Sequence, residues 1–187
     1  MVLNNKPQMF SAHFPSNFFY NEVEEKWSPF VERMKLPYQS VCDFMNAQIQ
    51  SVNFPGIGLE NAEQQREQYV ITYPGGKEYE AVVNKNLDIV FKLTESYVSY
   101  FILMDQIGMY LRYAGPGLKD SGAQKKAVWM EPFHLQFISD AGFGMTGFVF
   151  QEITPRSLTD LQLSYAAQAA TYNTFTFGIT YNRYMVF

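Results

Sequence analysis

The side chains able to do chemistry in this chain are few and scattered. Its two histidines are His13, in a loose proline-containing stretch, and His134, in the strand-like run EPFHLQF, and neither has the partner spacing of a zinc site. Each reads as a structural histidine. Cys42 stands beside Asp43, but a thiol nucleophile needs a base, and no histidine lies near it in sequence; a lone cysteine defaults to a small apolar filler. Glu22, Glu24, Glu25, Glu78 and Glu80 would serve as general acids or metal ligands only if burial shifted their pKa values, and both groups lie in polar segments that read as solvated. The glycines of PGIG (Pro55 to Gly58) and AGFGMTG (Ala141 to Gly147) lack the lysine and following Ser or Thr of a phosphate-binding loop and read as turns. Lys125 and Lys126, the one adjacent basic pair, are too little for a phosphate groove. The sequence therefore points to no catalytic residue, no metal-ligand set and no cofactor loop.

Composition narrows the class further. A chain of 187 residues is one domain, or one domain with arms, and can bury about 70% of its unfolded surface without a metal or disulfide. Its single cysteine cannot close an intramolecular bridge, and its start, MVLNNKPQMF, does not resemble a signal peptide, so a cytoplasmic origin is expected. No apolar run reaches the length of a membrane helix, because Asp105, Gln106 and Arg112 interrupt the greasiest candidate. A net charge of −4 gives no basic footprint for gripping nucleic acid. With 17 Phe and 13 Tyr but only 17% charged residues, the chain has either a large aromatic core or a surface made to be covered by partners, and the second is favoured.

The elements that would position these residues are mostly strands. Residues 1–36, interrupted by Pro7, Pro15 and Pro29, read as an extended amino-terminal arm, and residues 37–187 as the domain proper. Ser40 reads as the cap of a short helix carrying Val41, Phe44 and Met45, which feeds a strand through Ile49, Ser51 and Asn53. A projecting hairpin is expected over Gln64 to Asn84, turning at Pro74, Gly75 and Gly76. Leu87, Ile89, Phe91 and Leu93 alternate in the best internal strand, after which Thr94 caps a long helix ending at Gly115 and Pro116. That helix is apolar around more than half its surface and should be covered on more than one side. Alternation resumes in Val128 to Phe137 and Phe143 to Phe150, a second hairpin. Pro155 reads as a turn before a strand through Leu161, Leu163 and Tyr165. The final stretch, Thr171 to Phe187, reads as one strand with Phe175, Phe177, Ile179 and Tyr181 on its greasy face and Thr174, Thr176, Gly178, Thr180 and Asn182 on the other; these two strands together make a sheet edge. The fold class is α+β: an antiparallel β-sandwich or partial barrel with one substantial helix and a projecting β-hairpin.

The order of these elements resembles the tail tube proteins of contractile-tailed bacteriophages. The resemblance runs from Tyr38 to Phe187 and is carried by IQSVNFPGI (Ile49 to Ile57), the hairpin, LDIVFKLTES (Leu87 to Ser96) leading into the long helix, and the closing phrase with Pro155, Leu158, Leu161, Leu163, Tyr172, Phe175, Phe177 and Tyr181. It implies a virion structural protein, not an enzyme, whose six-membered rings stack into a hollow tube for genome ejection. Its implied partners are other copies of itself, a tail sheath protein, a tape-measure protein and DNA in the lumen, and baseplate and neck proteins at the ends, with no membrane. By position, the resemblance implies inter-subunit contacts at Gln68, Tyr69, Ile71, Tyr73, Gly75, Gly76, Tyr79, Phe101, Met104, Tyr110, Leu161 and Leu163, and a lumen face at Thr174, Thr176, Thr180 and Asn182. A ring of six copies, each of charge −4, would have a mildly acidic bore that repels phosphate. A tube initiator, a tail terminator or an injection-system tube protein would share these features. A small-ligand β-barrel is the alternative of a different class.

Overall fold

Strand β5 (Asn86–Lys92) shows why a sandwich forms. Leu87, Ile89 and Phe91 are fully buried on one face, and each faces a buried partner on β9 (Thr174–Thr180): Leu87 opposite Ile179, Ile89 opposite Phe177, Phe91 opposite Phe175. Such cross-strand apolar pairs are the unit of sheet stability. The computed structural model describes residues 10–34, 38–53, 61–66, 69–74, 85–94, 97–114, 129–138, 142–160 and 173–187. Within them β2 (Ile49–Asn53), β5, β9 and β8 (Thr154–Leu158) form one antiparallel sheet in the order β2-β5-β9-β8. A second antiparallel sheet has the order β1-β6-β7-β10, from β1 (Phe10–His13), β6 (Phe133–Ile138), β7 (Gly144–Gln151) and β10 (Arg183–Val186). Phe14 ties the layers together, its ring centroid 6.3 Å from Phe91 in one sheet and 4.9 Å from Phe133 in the other. The expected α+β sandwich is present, and the Gly144–Gln151 arm of the β6–β7 hairpin follows a turn in which Gly142 adopts φ +81°, the left-handed region glycine favours.

Three sequence expectations need correction. The closing stretch is two strands in two sheets rather than one. After Ile179 the chain turns at Tyr181, whose N–H donates to the Lys85 carbonyl at 2.9 Å, and Asn182, whose N–H donates to the Gln151 carbonyl at 3.2 Å, and then joins β7 as β10. The alternation hides this crossover because Tyr181, at the break, is itself buried in the shared core. The strand expected through Leu161, Leu163 and Tyr165, which would share a sheet edge with the closing stretch, lies outside the described residues. β9 is internal, and Pro155 lies within edge strand β8, opposite Ile179, next to a register shift that an edge tolerates.

The second correction concerns residues 10–34. Asn21–Arg33 is helix α1, not an irregular arm, and β1 before it is a paired strand. Pro29 masked a helical pattern in which Val23 and Val31 are buried and Trp27 between them is half-buried, four residues apart. Ser28 donates its hydroxyl to the Glu24 carbonyl at 2.7 Å, close to where the proline interrupts the helical ladder. Between β1 and α1, Phe14, Phe18 and Phe19 plunge into the core.

Third, the hairpin turns in a different place. β3 (Asn61–Arg66) pairs with β4 (Tyr69–Pro74) with Arg66 opposite Tyr69, so residues 67–68 link the strands and Pro74 sits at the far end, opposite Asn61. The polar run NAEQQR has low strand propensity, while Pro-Gly-Gly carries the stronger turn signal, and together they displaced the expected turn. The expected second arm from Tyr79 lies outside the described residues.

Two helices follow the expected logic. Ser40 Oγ accepts from the Asp43 N–H at 3.0 Å to cap α2 (Val41–Ala47), which buries Val41, Phe44 and Met45. The long helix α3 (Val98–Ala114) begins after Tyr97, at φ 57°, and the Thr94 hydroxyl accepts from the Ser99 N–H at 3.2 Å. Its buried stripe is Val98, Ser99, Ile102, Leu103, Gln106 and Tyr110.

Candidate assembly surfaces

Among the described residues, five of the nine exposed large apolar side chains lie on β7, β10 and their ends. Phe143 is 73% exposed, Met145 58%, Met185 52% and Val186 59%. Phe187 continues the row: its N–H donates to the Gly147 carbonyl at 3.0 Å, the Gly147 N–H donates back at 2.9 Å, and its ring occupies the space a Cβ at Gly147 would need. β10 pairs with β7 alone among the described strands, so this sheet ends on a greasy edge. Edges of that kind template pairing with another chain unless covered. β1 is the opposite edge of the same sheet, and β2 and β8 are the edges of the other.

A second apolar surface lies on the helices. Phe30 of α1 and Met104 and Leu111 of α3 are exposed, while polar contacts fix the two helices to each other. Asp105 Oδ2 accepts from Lys26 Nζ at 2.5 Å and from Trp27 Nε1 at 2.7 Å. Gln106, buried, donates Nε2 to the Phe18 carbonyl at 2.8 Å and accepts the Tyr20 N–H at 3.1 Å. Tyr113 donates to Glu22, which raises the phenol's pKa. A 290 Å³ groove between the helices holds Met104, Met109 and Gly108 beside the Lys26–Asp105 pair.

The outer face of the β2-β5-β9-β8 sheet is small and polar. Asp88, Gly178 and Ser157 share one row across it, and Thr180 is flanked by Asn86 and Thr154 in another. The Thr180 hydroxyl donates to Asn86 Oδ1 at 3.2 Å. Arg156 forms an ion pair with Asp88 over Gly178, where a Cβ would meet Ser157 Oγ at 2.5 Å. Lys92 lies in the row of Thr174, so the described charges on this face sum to no acidic excess.

Among the residues singled out for chemistry, Cys42, Glu24, His13 and His134 have structural surroundings, while Glu78, Glu80, Lys125, Lys126 and the PGIG stretch lie outside the described residues. Cys42 is buried and donates its thiol to the Phe14 carbonyl at 3.4 Å and the Pro15 carbonyl at 3.2 Å. Burial first, then the charges of Glu24 and Asp43, push its pKa up to about 12, the opposite of an activated nucleophile. Glu24 is not a solvated surface carboxylate: its Oε2 accepts the Val41 N–H at 3.1 Å at the start of α2, and its Oε1 is buried with no hydrogen-bond partner among the described residues. His13 and His134, far apart in sequence, are cross-strand neighbours with stacked rings. Among the described residues no group of three or more His, Cys, Asp or Glu could hold a metal ion, and no helix is long and apolar enough to cross a membrane.

Of the positions implied by resemblance, Met104 is 47% exposed, Phe101 half-buried and Tyr110 buried in the core stripe, where burial raises its pKa. Tyr69, Ile71 and Tyr73 lie in β4. Thr174 is exposed and Thr176 and Thr180 half-buried on the polar side of β9, and Asn182 is exposed in the turn after it. Gln68, Gly75, Gly76, Tyr79, Leu161 and Leu163 lie outside the described residues. The β10 edge went unnoticed in the sequence because Met185 and Val186 looked like the continuation of a buried strand.

No protein-family model matches the sequence, and no curated protein matches it. Solved structures do. A chain of the 6-fold symmetrised cryo-EM structure of the anti-feeding prophage (AFP) baseplate superposes with a TM-score of 0.50 at 11% identity, over 74% of this chain and 80% of that one. The two chains share a fold. A chain of the PVC sheath-tube complex of an extracellular contractile injection system, in the extended state, gives a TM-score of 0.45 at 13% identity over 74% and 79% of the two chains. A chain of the PVC sheath/tube terminator in the extended state gives 0.46 at 13% identity over 74% and 84%.

Proposed function

We propose that this chain is a structural subunit of a contractile-tail tube, assembling into six-membered rings that stack into a hollow conduit for genome ejection. The observation that carries the reading is the greasy β10 edge, paired only with β7 among the described strands, with Met145, Met185 and Val186 beside it, on a fold shared with a chain of a 6-fold symmetrised assembly. A lone subunit has no use for such an edge, and a neighbouring copy removes it from water. In this reading the threonine-rich outer face of the β2-β5-β9-β8 sheet lines the bore. With Asp88 paired to Arg156, low adhesion of a passing polyanion or tape-measure protein there comes from small hydroxyl-bearing side chains rather than from negative charge. The exposed helix residues Phe30, Met104 and Leu111 face a sheath protein, and the β3–β4 hairpin contributes stacking contacts. Baseplate and neck proteins meet the ends of the tube, and the assembly belongs to a virion tail.

A second reading, a tube initiator seated on a baseplate, is favoured by the baseplate origin of the structure with the highest of the reported TM-scores. A small-ligand barrel fits less well, because Phe14, Phe91, Phe133, Phe150 and Phe177 fill the space between the sheets. Sedimentation velocity over a concentration series tests the proposal. Species at six subunit masses and above are expected; a monomer at every concentration, with or without a baseplate extract, contradicts both tube readings.

A further inference from the structure

The two histidines of this chain lie directly opposite each other, His13 at the end of edge strand β1 and His134 on β6, with ring centroids 4.9 Å apart and planes 11° from parallel. They stand on the outward face of the sheet, since their neighbours in register, Ala12 and Leu135, include the buried Leu135 on the other side. β1 holds four residues and pairs with β6 alone among the described strands, so it is held by a short ladder and by Phe14, which follows it into the core. Neutral imidazoles stack favourably at this spacing; two imidazolium rings repel.

The surroundings supply no counter-charge within the sheet. β1 (FSAH), β6 (FHLQFI) and β7 (GMTGFVFQ) contain no ionisable side chain besides these two histidines, and β10 adds Arg183 and Tyr184 two strands away. Among the described residues of the flanking segments the acidic groups are Asp43 of α2 and Glu131 just before β6, both exposed, and the charge acting on His13 is that of His134. We infer that His13 and His134 form an acid-sensitive latch that holds edge strand β1 on β6 and loosens when both rings carry protons. The latch belongs to the single subunit and does not depend on ring formation.

The direction follows from linkage. Desolvation first, and the His134 charge second, lower the pKa of His13 below its ordinary 6.5, so the docked strand binds fewer protons than the released one. Docking is at full strength above pH 6.5, weakens as pH falls through 6.5, and levels off below the lowered native value of His13. Each unit of depression is worth about a tenfold change in the docking equilibrium. Loosening uncovers the β6 edge for pairing with another strand.

Native-state hydrogen exchange on the full chain, kept dilute, tests this. Protection of the amides of residues 11–13, corrected for intrinsic exchange, is compared at pH 7.5 and 5.0 with that of Thr176 to Ile179 in β9. The latch predicts a loss of about tenfold per unit of pKa depression, confined to β1 and abolished in the His13→Asn, His134→Asn double variant. Protection in β1 that simply follows β9, or an equal loss in the double variant, overturns it. If the double variant does not fold, NMR titration of the native imidazoles decides: His13 titrating below 6.5 in a two-step pair supports the latch, and His13 titrating at or above 6.5 refutes it.

Discussion

Arg156 on edge strand β8 reaches across β9 to Asp88 on β5, and the ion pair passes over Gly178, which stands opposite Asp88 and has no side chain. Asp88, Gly178 and Ser157 form the row, and Arg156 reaches over it from the register shift beside Ser157. Gly178→Val should therefore destabilise the fold by about 1–3 kcal/mol, because the new side chain displaces Ser157 and the ion pair from a packed face. Arg156→Ala or Asp88→Ala should cost under about 1 kcal/mol, since both side chains are well exposed. Urea unfolding measures all three.

Gly108 gives the opposite expectation. It lies on the exposed side of α3 with nothing within 4 Å of a built Cβ, so Gly108→Ala should stabilise by about 0.5–1 kcal/mol through reduced backbone entropy of the unfolded chain. The thermal midpoint reads it.

Gln106→Leu keeps the volume but removes both partners of the loop before α1. The Gln106 bonds to the Phe18 carbonyl and from the Tyr20 N–H are lost, and a cost of about 1–3 kcal/mol is expected, with α1 exchanging faster than β9. Unchanged stability would mean that solvent replaces the glutamine.

Cys42 should resist alkylation. With a thiol pKa of about 12, raised mainly by burial, the thiolate fraction at pH 8 is on the order of 10⁻⁴, and it rises only as pH approaches 12. Labelling by a thiol reagent at pH 8 should be slow in the native protein and complete within minutes in denaturant; rapid native labelling would show that the segment around Phe14 and Pro15 opens readily.

Legibility in the sequence followed burial. The period-two runs at Leu87, Ile89, Phe91 and at Phe175, Phe177, Ile179 announced the central strands because both ladders bury one face against a common core. The Ser40 cap announced α2 for a purely local reason. What escaped was decided at long range. Nothing local tells that Tyr181 ends one strand and Arg183 starts another in a different sheet, or that His13 meets His134. Pro29 hid α1 because a local breaker was outweighed by the docking of Val23 and Val31. Thr174, Thr176 and Thr180 share one face of β9 and Asn182 lies in the crossover beyond it, while Tyr110, implied at a contact, is held in the core by the same helix that exposes Met104.

The apolar edge is open to direct substitution. Met145→Glu with Met185→Glu should leave the subunit folded, since both side chains are mostly exposed, while raising the concentration needed for self-association by tenfold or more, about 1.4 kcal/mol. An unchanged sedimentation profile would remove this edge from the interface.

Negative-stain electron microscopy of the purified protein over a concentration series tests the central claim most directly. Hollow six-fold rings that stack into tubes as concentration rises are the predicted result. Solid, strictly monomeric particles at every concentration, persisting after a baseplate extract is added, would contradict it.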